Sequence, residues 1–373
     1  MHKMKSVFRH AAPSLIAICV GLMISIFVII GTNSESAAKA IPTFFSGPFS
    51  RGWEGVGDMF YHAMPLLMTG LAVGVAFQTG MFNIGASGQF LFGGFLAILV
   101  CNRLEDIVPP QLMWILALLI AAAGGAFLAG IVGALKAYRN VNEVISCIML
   151  NYISMYTVND LIKRLNLYNQ LKNNTVYIQT EVPKMLMTTI FPGTIASGTF
   201  VIGVIMVILL HIALKKTTFG YEIKGVGLNR FAAKYAGINE KMAIIQSMAI
   251  AGAMAGLGGG MLYLSGAGNS IAVQDVLPQE GFDGIAVALL GLNEPIGILL
   301  SALFFAFLKM GGQAIQTLGY APELVTIIIS FILYVSALSV LFQRLLSKKE
   351  KKKKKHETAS AVSETASNQE EAQ

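Results

Sequence analysis

The chain has 373 residues, of which 55% are hydrophobic and only 13% charged, and its formal net charge is +7. A soluble protein carries about 25% charged residues; together with a mean hydropathy of +0.65, this composition excludes an ordinary soluble enzyme and points to a membrane. The positive balance is no nucleic-acid signal, because the basic residues follow topology, and Cys19, Cys101 and Cys147 offer neither a disulfide framework nor a metal-ligand spacing.

In chain order, Met1-His2-Lys3-Met4-Lys5 leads into an apolar run to Ile30. That run exceeds the ~7–15 residues of a signal-peptide core, so it reads as an uncleaved first transmembrane helix. Ten membrane segments can be drawn, over 12–31, 58–78, 84–101, 111–135, 142–162, 195–214, 241–264, 281–292, 295–312 and 322–343. Segments 84–101 and 281–292 are interrupted by glycine, and the second is short for a ~30 Å hydrocarbon core. The expected organisation is a cytoplasmic N-terminus over 1–11, an all-α polytopic transmembrane domain over 12–345, and a disordered Lys-rich tail over 346–373. With both termini cytoplasmic, the inner segments carry 19 of the lysines and arginines and the outer segments 7, as the positive-inside rule requires. Lys351–Lys355 read as a topology anchor in a solvated tail, with contact to membrane lipid as a further reading. The outer loop 163–194 is polar and Asn-rich and offers a surface to an external partner.

No G-x-x-x-x-G-K-[ST] loop is present, so ATP is not bound by a P-loop of this chain. The run Gly256-Leu257-Gly258-Gly259-Gly260 lacks the lysine and lies in an apolar segment, where it suits close helix packing. The cytoplasmic loop 215–241 holds a different signal. Asn229 is a good N-cap, Arg230–Ala236 makes two helical turns, and Gly237 closes them. Ala232, Ala233 and Ala236 give this short basic helix a small-residue face that a partner could approach.

Four stretches together resemble the permease subunits of ABC importers, in the group of nucleoside and simple-sugar permeases allied to the ribose and branched-chain amino-acid permeases. They are Met81-Phe82-Asn83-Ile84-Gly85-Ala86-Ser87-Gly88-Gln89, Asn142 through Tyr152, Gly220 through Gly237, and Gly281 through Gly291. The resemblance covers most of 55–340. Relatives often read Leu-Asn-Ile-Gly-x-Glu-Gly-Gln; here Ser87 replaces the acid. The resemblance implies a type II importer-like fold and a chain that translocates a nucleoside, or a simple sugar, without catalysing a reaction. It also implies an ABC ATPase subunit that binds the ATP, a second permease as heterodimer partner, and an extracellular solute-binding protein. In that family Gly220–Gly237 would hold the coupling helix, with Glu222, Gly227, Asn229, Arg230, Ala232, Ala233, Ala236 and Gly237 at the ATPase. No cofactor or metal is expected in this chain.

Polar residues inside membrane segments are the candidates for the substrate path: Asn83, Gln89, Asn142, Glu143, Asn151 and Asp283, with Phe82, Tyr152 and Phe282 as rings on which a base could stack. Each has a plainer reading as helix glue or helix cap; Glu143 suits a helix N-terminus, and Asp283 either faces a wet path or caps 281–292. Phe82-Asn83-Ile84-Gly85 and Phe282-Asp283-Gly284-Ile285 look alike and begin on opposite faces, the mark of a possible inverted repeat. Two rivals are weighed. Gly85-Ala86-Ser87-Gly88 matches an intramembrane serine protease, but His211 is a poor base for it. An ion-coupled secondary transporter is the alternative function, and the capped cytoplasmic helix has no task in one.

Overall fold

The computed structural model describes residues 19–324, 326–328, 330, 331 and 334. The expectations for 1–11 and 346–373, most of 322–343 and the start of 12–31 lie outside the described residues. Residues 29–326 form one compact unit. The described residues outside it, 19–28, 327, 328, 330, 331 and 334, are helical.

The helices follow the apolar runs, with caps at their ends. Helix α1 spans Cys19–Thr32, and α2 spans Ser34–Ser46. Then come α3 (Trp53–Gln78), α4 (Ala86–Leu104), α5 (Pro110–Arg139) and α6 (Glu143–Arg164). A two-stranded hairpin, β1 (Tyr168–Asn169) and β2 (Asn174–Thr175), and the short α7 (Met187–Ile190) follow. After these come α8 (Thr199–Lys216), α9 (Thr218–Leu228), α10 (Arg230–Tyr235), α11 (Glu240–Tyr263), α12 (Gln279–Leu290) and α13 (Pro295–Gln316).

Six of these helices, α3, α4, α5, α8, α11 and α13, are long and apolar enough to cross a membrane, so the chain is a multi-pass membrane protein. Helix α4 answers the question raised by its glycines: its 19 residues reach about 28 Å. Helix α12 does not span, since 12 residues cover only about 18 Å. Helix α6 has the length, at 22 residues, but is too polar to count among the six.

One region departs from the sequence reading. The stretch between the first two segments was read as an outer loop, yet it holds α2, which lies against α13. Asn33 caps α2 by accepting from Ser36 N at 3.1 Å. Ala37, Ala40 and Phe44 fall on one face and are buried. Tyr320 closes the region by donating to the carbonyls of Asn33 (2.9 Å) and Ile29 (3.3 Å). The N-cap signature Asn33-Ser34-Glu35-Ser36 was visible in the sequence; the polar surroundings hid it.

The centre is built by backbone approach. Gly256 of α11 lies between Gly93 of α4 and Gly125 of α5, so closely that a side chain on any of the three would strike backbone. Gly259 meets the Phe90 carbonyl in the same way. Inside a bilayer lipid tails are as apolar as leucine, and such small-residue contacts are what hold helices together. Helix α3 is buried from Ala63 to Ala76 on all sides.

Loop contacts sort into two sets at opposite ends of α3. At its start, Asp58 accepts from Thr194 Oγ1 (3.1 Å) and Ile195 N (3.0 Å) and pairs with Arg51 (2.8 Å). The hairpin shares that end: Thr175 N donates to Ile271 O (2.9 Å), Asn159 Nδ2 to Gln274 O (3.0 Å), and Arg103 to Leu165 O (2.9 Å). At the other end, Gln78 Nε2 donates to Asn293 O (2.9 Å), and Lys215 pairs with Glu294 (2.9 Å). These two sets coincide with the two faces that the basic residues distinguish.

Gly256→Val should therefore lower the melting temperature and the yield of detergent-extracted protein, because overpacking costs about 1–3 kcal/mol even where a side chain can yield. Gly130→Val is the control, since nothing lies within 4 Å of a side chain there. Equal melting of the two variants would show that Gly256 is not the wedge.

Candidate functional site

Helix α3 ends in a glycine-closed turn. Gly80 has φ +71, Met81 N donates back to Ala76 O (3.1 Å), and Gly80 N to Phe77 O (3.0 Å). This is the Schellman pattern, which satisfies the last carbonyls of a helix. The chain then runs unpaired to Gly85 before α4 begins. Backbone without helix is tolerated in a membrane only where protein groups satisfy it. Here they do. Asn83 and Gln89 exchange two amide hydrogen bonds, at 2.9 and 3.0 Å. From α6, Asn151 Nδ2 donates to Ile84 O (3.0 Å), and its Oδ1 accepts from Gly88 N (2.9 Å). All three amides are buried. Two of the expected path residues, Asn83 and Gln89, thus bind each other, and a third, Asn151, binds backbone of the break and of α4, as the plainer reading allowed. Phe82 is half-buried, its ring 5.2 Å from that of Phe77.

The first turn of α6 has the same character. Asn142 caps it by accepting from Val144 N (2.9 Å), and Glu143 pairs with Lys136 at 2.8 Å. Tyr152 differs: it lies on an outward face with Ile145, Ile148, Met149, Ile153 and Tyr156.

Helix α12 starts deep in the body. Its first turn meets the first turn of α4, where Ser87 Oγ donates to Pro278 O (2.5 Å) and Gly281 touches Ser87. An ionised carboxylate at position 87 could not donate this bond. Thr69 Oγ1 of α3 donates to Glu280 O at 2.9 Å. Asp283 and Phe282 are half-buried. Asp283 accepts from Gln279 Nε2 at 3.3 Å and, among the described residues, forms no ion pair within 4.0 Å. Lys309 of α13 is close enough for its charge to act on both Asp283 and His62 of α3. Tyr61 beside His62 accepts from Asn269 Nδ2 at 2.7 Å. His62, Glu280, Asp283 and Lys309 are each partly exposed. Partly exposed ionisable groups inside apolar helices form a polar lining that can reach water. Such a lining offers donors, acceptors and rings to a polar organic solute. Sequence reading found Asp283 and Phe282. It missed His62 and Glu280, although an ionisable residue inside an apolar run was the signal available.

The loop 215–241 is two helices. Thr217 caps α9 by accepting from Gly220 N (3.2 Å). Asn229 caps α10 by accepting from Phe231 N and Ala232 N, both at 3.0 Å. Gly237 closes α10 at φ +81, and Arg230 pairs with Glu240 at 3.1 Å. The inner face, Ile223, Val226 and Ala233, joins a buried cluster with Ala76, Met81, Cys147 and Met248. Ala233 thus points into the body rather than toward a partner, a correction to the small-residue face; Ala232 and Ala236 remain exposed. Glu222 is half-buried at the margin, and Gly227 presses its backbone on Gln78. Sequence reading passed over the bulky outer face, where Tyr221, Leu228 (89% exposed), Phe231 and Tyr235 (94% exposed) stand clear of the body. Four large apolar side chains in a basic loop were the signal for it.

Comparison with known proteins agrees with this layout. The profile of the family described as branched-chain amino acid transport system / permease component matches residues 55–337. The chain is 34% identical to the nucleoside ABC transporter permease protein NupB of Lactococcus lactis subsp. cremoris (strain MG1363), over 91% of this chain and 94% of that protein. It is 33% identical to the guanosine ABC transporter permease protein NupP of Bacillus subtilis (strain 168), over 91% and 96%. It is 29% identical to the glucose ABC transporter permease protein TsgB13 of Haloferax volcanii, over 78% of each. No solved structure matches. Multi-pass, helical, and matched by the profile from the first turn of α3 to beyond α13, the chain belongs to the permease-component family of the branched-chain amino acid transport system type.

Proposed function

We propose that this chain is the membrane-spanning permease subunit of an ABC importer that carries a nucleoside into the cell, driven by ATP hydrolysis on a partner ATPase. The observation that carries the reading is the pairing of an exposed aromatic docking face on α9–α10 with relatives named as nucleoside and guanosine ABC transporter permeases. An ATPase subunit and a solute-binding protein follow from the family. A simple sugar is the second reading, favoured by the glucose permease among the relatives. An ion-coupled carrier working alone would have no use for the docking face.

In this reading the chain crosses the membrane about ten times, with 1–11, 215–241 and the tail 346–373 in the cytoplasm and the permease domain over 12–345. Helix α12 and the break before α4 act as inverted counterparts in a type II importer-like fold. Two features support this: the first turns of α4 and α12 touch, and the loop contacts sort by face. The path runs beside Phe282 and Asp283, with His62, Glu280 and Lys309 near them. Asn83, Gln89 and Asn151 shape the path without touching the solute. The outward face of α6 carries Tyr152 and Tyr156 in mid-helix, and phenol hydroxyls seek partners that lipid tails lack. A second permease therefore covers this face and completes the path.

Both termini cytoplasmic means that Asn173→Cys should react with an impermeant thiol reagent from outside intact cells, and Asn229→Cys only after lysis; labelling of both from one side would reject the topology. Phe231→Ala with Tyr235→Ala should abolish co-purification of the ATPase while the permease still inserts, because truncating docking anchors costs about 2 kcal/mol or more each. Ala233→Trp is no test of docking, since it disturbs the buried cluster first. In proteoliposomes holding the full complex, a panel of radiolabelled nucleosides and sugars should show nucleoside uptake that needs ATP and the binding protein. Asp283→Asn should change the order of preference at normal expression. Uptake of glucose alone, or an unaltered order in Asp283→Asn, would overturn the substrate and the site respectively.

A further inference from the structure

The break between α3 and α4 touches more of the working parts than any element expected to do so. At its start, Gln78 and Gly80 lie against the backbone of Gly227 in α9, with no side chain between them. The same Gln78 donates its amide to Asn293 O (2.9 Å), in the turn that joins α12 to α13. That turn holds Leu292 at φ +56 and Asn293 at φ +55, an unfavourable conformation for a branched side chain such as Leu292. Thr79 Oγ1 and Ser247 Oγ of α11 share a hydrogen bond of 2.8 Å. At its end the break is tied to α6 through Asn151, and α4's first turn to α12 through Ser87 and Pro278. Between these ends stands the reciprocal amide pair of Asn83 and Gln89, with Cys147 Sγ 3.8 Å from Asn83 Oδ1.

Two properties suit such a piece to passing on movement. Gly80 to Gly85 lie outside any helix, so the stretch can shift without melting one. Its outside connections are directional polar bonds and a bare backbone contact, which transmit displacement instead of absorbing it. From these contacts we propose that residues 78–89 are the joint that carries movement of α9–α10 to α6 and α12, with Gln78, Asn83, Gln89 and Asn151 as positioning residues for transport. The inference rests on the importer reading, since it presumes that an ATPase moves α9–α10. A push on Gly227 reaches Gln78 directly. From there it divides, toward the α12–α13 turn through Asn293 and toward α6 through the Ile84 carbonyl and Asn151, while the amide pair ties Asn83 to the first turns of α4.

The test is the number of adenosine molecules, or of whichever nucleoside the parent complex carries, imported per ATP hydrolysed in proteoliposomes with the ATPase and binding protein present. Gln78→Ala removes one amide from a half-buried position and Asn83→Ala breaks the reciprocal pair; neither residue is on the docking face. Both should keep the ATPase bound and lower the ratio by about fivefold or more, the lower end of typical coupling between sites. A residue that merely stabilises the fold would lower yield or melting temperature and leave the ratio of the surviving protein unchanged. An unchanged ratio in Gln78→Ala overturns the proposal, and so does loss of the ATPase from the purified variant. Should Asn83→Ala not be recovered from membranes, Gln78→Ala decides alone. Failure of the parent complex to import any nucleoside would instead overturn the importer reading.

Discussion

The contact on which the molecule depends is the meeting of α4, α5 and α11 at Gly93, Gly125 and Gly256. In water such helices would be driven together by burial of apolar surface, but in lipid that drive largely vanishes. What remains is dispersion between backbones that can come close only where side chains are missing. Once α4 is seated in this way, its first turn has a set depth and direction. That position decides which residues of α6 and of the 274–283 stretch can reach it.

Those neighbours then resolve the conflict that every broken membrane helix creates. Unpaired peptide groups cannot be left in hydrocarbon. At the break before α4, Asn151 binds the Ile84 carbonyl and the Gly88 amide, Asn83 and Gln89 bind each other, all three are buried, and a glycine turn closes α3. Groups so buried present no open surface to a solute. The polar residues around α12 are different, because His62, Glu280, Asp283 and Lys309 keep part of their surface open. Burial therefore separates the two groups of polar residues, and residue type alone does not.

At the other end of α3 the same logic separates two faces of one short element. Helices α9 and α10 bury Ile223, Val226 and Ala233 in the body and hold Tyr221, Leu228, Phe231 and Tyr235 away from it. Large apolar residues so exposed on a membrane protein's polar face suit contact with another protein. The basic residues around them keep the loop on one side of the membrane.

Composition, the length of the apolar runs and the asymmetry of basic residues determined the class, the approximate order of helices and the two faces, because insertion in a bilayer acts on local sequence. The caps Asn142, Asn229 and Gly237 were legible for the same reason: a cap is a contact within a few residues. Helix α2 was legible in principle, from Asn33 and the spacing of Ala37, Ala40 and Phe44, and was masked by its polar start. Only the tertiary structure decided that Asn151 binds the backbone of Ile84 and Gly88, that Ala233 turns inward, and that Ser87 meets Pro278. Each of these rests on residues distant in the chain: Asn151 lies 67 positions from Ile84, and Pro278 lies 191 from Ser87. A single sequence carries no trace of such a meeting, because the hydrogen bond that settles each role belongs to the pair and not to either residue.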